Sequence, residues 1–213
     1  MGPRDRIPNM PSPFVSLTAA FLWLVACPGA QGCGYHDPTG VGTLNFVYPK
    51  ALYVRTAVWQ AQQQGLIPPR EPGSPSVAVA AARANGVVSF QDVAFRNTAR
   101  RLEGLRESMS SNRGSQPVPP FAVVLIGPML WTRFEAPVQR LEMTFHAPGP
   151  SAGDVVVVTD EPVLAALVDG TLTATQARDA GLVRFYGAPD AIQDVQALFD
   201  ASPPAAVAAQ ISH

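Results

Sequence analysis

Cys33 and His36 lie three residues apart in the run Cys33-Gly34-Tyr35-His36-Asp37. A chain cut after Gly32 would start at Cys33, placing an α-amine, a thiol and an imidazole within roughly ten ångströms of one another. All three are good ligands for copper or zinc, and Asp37 adds a carboxylate. A periplasmic metal-binding accessory role is therefore one expectation for Cys33 and His36, and a structural turn is the other. Met109, Met129 and Met143 could hold copper(I) if the fold gathered them, although methionine on a helical stripe or strand is usually core filler. His146 has no carboxylate or cysteine beside it in sequence and His213 ends the chain, so neither makes a catalytic case. No nucleophile elbow, phosphate-binding glycine loop, zinc-protease helix or dinucleotide fingerprint is present. With His36 and His146 as the available bases, the sequence leans away from an enzyme and favours no reaction class.

The cut itself is argued from the first residues. Arg4 and Arg6 give a basic start, and Phe14 to Ala26 is an uncharged, mostly apolar run of the length of a signal-peptide core. Spanning a bilayer takes roughly 20 apolar residues, so this run is short for a membrane anchor. Pro28-Gly29 breaks it, and Ala30-Gln31-Gly32 places small residues where a signal peptidase needs them. Residues 1–32 are expected to be a bacterial signal peptide, which would put the mature chain in the periplasm or outside the cell. Leu24-Val25-Ala26-Cys27 also resembles a lipobox, so a lipoprotein anchored through Cys27 is the alternative, and with it a lipid-anchored interaction module. Asp5 separates Arg4 from Arg6, against a twin-arginine signal.

Composition bounds the rest. A formal net charge of −1 over the whole chain gives no electrostatic case for nucleic acid. Lys50 is the only lysine. Once the leader is gone no apolar run is long enough for a transmembrane span, and Cys33 would be the sole cysteine, which excludes an internal disulfide framework. Roughly 180 mature residues suit one domain.

Residues 33–201 are expected to form a single α+β domain, with a mainly helical part (33–112), a linker (111–120) and a sheet-plus-helix part (121–201). Residues 202–213 are expected to be a disordered tail. Pro49 opens a helix over Lys50 to Gln64, with Leu52, Thr56 and Trp59 near one face and Gly65 as its stop. Tyr48, Tyr53 and Trp59 would either dock this helix, the favoured reading, or offer a partner-binding face. Pro68 to Ser76 is irregular, Val77 to Ala84 is of ambiguous type, and Phe90 to Ser110 is amphipathic with Phe95, Ala99, Leu102, Leu105 and Met109 on a stripe. Phe121 to Ile126, Leu130 to Phe134, Leu141 to Phe145 and Val155 to Val158 have strand character, in an antiparallel or mixed sheet covered by helices. Thr159-Asp160-Glu161-Pro162 is a helix start, Thr173 to Gln176 has the spacing of a capping box, Leu182 to Tyr186 is a last strand, and Ala188 to Asp200 a final amphipathic helix.

The stretch VVVVTDEPVLAALVDGTLTATQARDAGLVRFYGAPDAIQDVQALF, about residues 155–199, resembles the C-terminal half of the sterol carrier protein 2 domain. The resemblance rests on Gly170, Leu172, Thr173, Ala177, Gly181 and Gly187. It implies a curved sheet covered on one face by helices, with an apolar tunnel between them for a sterol, fatty acyl chain or similar lipid. Leu125, Leu130, Trp131, Phe134, Phe145, Leu167 and Phe185 are the large side chains most able to line such a space. The expected function is that of a periplasmic, non-enzymatic carrier of an apolar small molecule or lipid.

Overall fold

A computed structural model describes residue 48 and residues 50–71, 91–113, 117–137 and 140–201. The signal and lipobox expectations, the Cys33 and His36 metal pair, Val77 to Ala84 and the 202–213 tail lie outside the described residues.

Five helices and five strands are described, in the order α1 (Ala51–Gln63), α2 (Gln91–Asn112), β1 (Phe121–Leu125), β2 (Leu130–Glu135), β3 (Glu142–Phe145), β4 (Val155–Thr159), α3 (Glu161–Val168), α4 (Ala174–Asp179), β5 (Arg184–Tyr186) and α5 (Pro189–Asp200). The fold is α+β: the elements described in the first half are helices, and in the second half a mixed sheet ordered β3-β2-β1-β4-β5 carries helices packed on it. β1 pairs in parallel with β4, and the other neighbours are antiparallel. β1 and β4 are buried along their whole length, as continuous apolar strands in the middle of a sheet require.

Cross-strand register separates the side chains into two faces. Phe121, Val123 and Leu125 of β1 share one face with Leu130, Thr132 and Phe134 of β2 and with Phe185 of β5. The Phe121 and Phe134 rings stack 4.8 Å apart, and Phe199 of α5 meets Phe121 and Phe185 edge-on at 6.1 and 5.7 Å. Phe95 of α2 meets Phe145 at 5.3 Å, so α2 and α5 both cover this face. α3 packs against α2.

The opposite face carries Ala122, Val124, Trp131, Val156 and Val158, and these are buried too. Their cover is α1, which lies against β4 and is preceded by Tyr48, whose ring packs on Trp131 at 5.6 Å and Tyr186 at 6.0 Å. Helices therefore cover both faces, not the one implied by the family resemblance, because both faces of the sheet are apolar. α1 docks through Ala51, Val54, Val58 and Ala61. The expected docking face of Leu52 and Trp59 points outward with Tyr53, and Trp59 is 60% and Tyr53 67% exposed. Small and β-branched side chains let the helix approach a sheet that already presents Trp131, which the larger residues would prevent.

The local signals at helix ends hold. Asp160 accepts from the Glu161 N–H at 2.8 Å with Pro162 in the first turn of α3. Thr173 and Gln176 form the reciprocal capping box at 3.1 and 2.9 Å. β5 is a three-residue edge strand closed by Gly187, whose φ of 152° is strained for any residue with a Cβ, and such a Cβ would press on the Val155 side chain.

A bidentate pair ties the middle of the sheet to the turn before β4. Arg133 donates to Asp154 at 2.7 and 3.1 Å, and the Ser151 N–H donates to the same carboxylate at 2.8 Å. Burial alone would raise the Asp154 pKa, but the guanidinium and the backbone N–H outweigh it and hold it below the usual range. A depressed carboxylate pKa contributes stability above its unfolded value and loses it as pH falls through the folded value. Asp154→Asn is therefore expected to lower stability by about 2 kcal/mol at neutral pH. In urea titrations the gap between the two proteins should stay constant near neutrality and close below about pH 4.

Candidate functional site

An open cleft of about 520 Å³ lies beside β5, lined by Lys50, Arg178, Val183, Arg184, Phe185, Tyr186 and Gln196. That volume falls within the roughly 300–1,000 Å³ usual for small-molecule sites. Four segments meet there: the entry to α1, α4, the strand β5 with the residue before it, and α5.

Each side chain has a local reason for its position. Arg184 pairs with Val158 and Tyr186 with Val156, which places both on the face that α1 covers. Phe185 points to the other face, against Phe199. Burial raises the Tyr186 phenol pKa, and the nearby Arg184 charge offsets part of that rise. Burial likewise raises the Tyr48 phenol pKa. Lys50 caps α1 in the left-handed region, with φ 67° and no side-chain capping bond, a conformation that costs a residue with a Cβ about 1–2 kcal/mol.

The cleft is cationic. Arg178 is neutralised by Asp200, with both carboxylate oxygens at 3.1 Å. Arg184 has no carboxylate partner among the described residues, and its Nε is buried with no acceptor. None of the described residues lining the cleft is acidic.

A second polar cluster sits at the ends of β1 and β4. Asp160 and Glu161 are each 1% exposed, and Arg70 bridges them. It donates to Asp160 Oδ1 at 3.1 Å, makes a second close contact with Oδ2, and lies 3.6 Å from Glu161 Oε2. The Gly127 N–H donates to Asp160 at 3.0 Å, and Thr98 donates to Glu161 at 3.3 Å. A Cβ on Gly127 would overlap the ends of the Arg70 and Asp160 side chains, so a larger residue there would push the pair aside. Glu71, the next residue, accepts from Asn97 and from Arg101, the latter at 2.9 Å. These bonds fasten the chain after α1 onto α2 and the sheet, and that is a structural role.

The seven apolar residues singled out in the sequence do not share one space. Leu125, Leu130, Phe134, Phe145 and Phe185 lie on the α2/α5 face of the sheet, Trp131 lies on the α1 face, and Leu167 is half-buried on α3. Phe185 alone among them lines the cleft. His146 lies against the Phe95 and Phe145 rings at 5.2 and 5.5 Å. Met109 and Met129 belong to the hydrophobic core. Among the described residues no three His, Cys, Asp or Glu side chains gather as a metal site would require, and no described helix is long and apolar enough to cross a membrane.

The molecule is thus an α+β protein with a mixed five-stranded sheet and a cationic, aromatic cleft at its β5 edge. No family model matches the chain, and no curated protein matches it. Among solved structures, a UbiJ-SCP2 ubiquinone synthesis protein is similar over 45% of this chain and 76% of its own, at 20% identity and a TM-score of 0.30. The stereoselective inverting sec-alkylsulfatase Pisa1 from Pseudomonas sp. is similar over 45% of this chain at 15% identity and a TM-score of 0.33. A double mutant of that sulfatase matches over 38% at 17% identity, also with a TM-score of 0.33. The chain spans 14% and 13% of the two sulfatase chains. At these values the likenesses assign neither a family nor an activity.

Proposed function

We propose that this protein is a non-enzymatic binding or carrier protein for an apolar small molecule or lipid, exported to the periplasm. The observation that supports the ligand is the cleft at β5, whose half-buried Phe185 and Tyr186 offer aromatic surface next to solvent. A carrier needs such a place, where a hydrocarbon leaves water without the core having to open. The basic start, the apolar run 14–26 and the small residues at 30 and 32 support export.

A native mass spectrum of the full-length gene product, made in a bacterium and recovered from its periplasm, tests both parts. The expected spectrum shows a chain starting at Cys33 with a bound small molecule that is lost on denaturation. A bare polypeptide would contradict the carrier reading. A chain retaining residues 1–32 would contradict export by cleavage after Gly32.

A further inference from the structure

The cleft holds more positive charge than its own residues neutralise. Asp200 and Thr175 occupy the Arg178 guanidinium, whereas Arg184 and Lys50 have no carboxylate partner among the described residues. The Arg184 Nε is buried without an acceptor, and a buried donor left unmade is costly, more so on a charged group. Lys50 stands in the left-handed region with its side chain at the same cleft. Asp154, Asp160 and Glu161, the buried acids among the described residues, are all engaged by Arg133 or Arg70. Among the described residues no carboxylate pairs with these two cations, while Phe185 and Tyr186 beside them offer aromatic contact.

We infer that the cleft takes an amphiphile with an anionic oxygen head, a carboxylate or phosphate, held by Arg184 and Lys50 while its hydrocarbon lies along β5. This rests on the carrier reading and names the ligand class at the same site. A guanidinium presents paired N–H donors to two oxygens of a carboxylate or phosphate, which an ammonium cannot do. Arg184 is then the anchor, and Lys50 a second, more mobile charge.

Isothermal titration of the full chain with dodecanoate, dodecyl phosphate, dodecanol and inorganic phosphate tests the inference. The two amphiphilic anions are expected to bind about tenfold or more tightly than dodecanol, and their ranking tells a carboxylate site from a phosphate site. Arg184→Gln should erase that advantage, bringing both anions down to the level of dodecanol, and Arg184→Lys should restore only part of it. Anion binding that is unchanged in Arg184→Gln would place it elsewhere in the chain and overturn the inference. Lys50→Gly keeps the test decisive if Arg184→Gln fails to fold, because glycine suits a φ of 67°. That variant should be at least as stable as the wild type and still bind the anions several-fold more weakly. Equal binding of dodecanol and both anions would overturn the anionic head and leave the carrier reading standing. Inorganic phosphate binding as tightly as dodecyl phosphate would overturn the amphiphile. Binding of none of the four would overturn the inference and the carrier reading together.

Discussion

Arg70→Ala is expected to destabilise the protein by about 3–5 kcal/mol, because it leaves two buried carboxylates without their shared cation. Asp160 and Glu161 are buried at the start of α3, and Arg70 reaches both. The Gly127 and Glu161 N–H groups on Asp160 and the Thr98 hydroxyl on Glu161 are uncharged donors and do not replace the guanidinium. The loss would show as a lower midpoint in guanidinium titrations followed by circular dichroism. Arg70→Ala combined with Asp160→Asn and Glu161→Gln should recover much of it, since the triple variant no longer buries charge. A loss below about 1 kcal/mol, the range of exposed pairs, would show that the cluster does not hold the fold.

Phe134→Ala is expected to cost a comparable 3–5 kcal/mol while leaving ligand binding at the cleft intact. Phe134 is fully buried and stacked on Phe121 at 4.8 Å, and Phe199 closes the same group from α5. Removing the ring opens a cavity that the surrounding strands and helix fill only in part. The family resemblance implies a tunnel on this face, whereas the cleft lies at the sheet edge. Thermal melts with and without dodecanoate separate the two. A lowered melting point with an undiminished ligand-induced rise fits the edge cleft, and a folded variant that no longer responds to dodecanoate would place the ligand between sheet and helices.

Much of the architecture was legible because its signals are local. The caps at Asp160 and Thr173, the stop at Gly65 and the continuous apolar strands β1 and β4 each depend on neighbours in sequence. The docking face of α1 was less legible. The helix is apolar on more than one side, so periodicity cannot choose between Val54 with Val58 and Leu52 with Trp59, and the space above Trp131 decides. Asp160 and Glu161 were legible as a helix start but not as a buried pair. Their counter-ion lies 90 residues earlier, in a proline-rich stretch with no pattern of its own. The cleft was hidden for the same reason. Lys50, Arg178, Arg184 and Gln196 come from separate segments, and only the docking of α1, α4 and α5 around β5 assembles them.

A native mass spectrum of the protein recovered from a bacterial periplasm, taken for the wild type and for the Arg184→Glu variant side by side, tests the central claim most directly. The wild type should carry a small molecule that denaturation releases, and the variant, with a carboxylate where the cleft needs a cation, should be folded and empty. Equal occupancy in both proteins would place the ligand away from β5 and contradict the account.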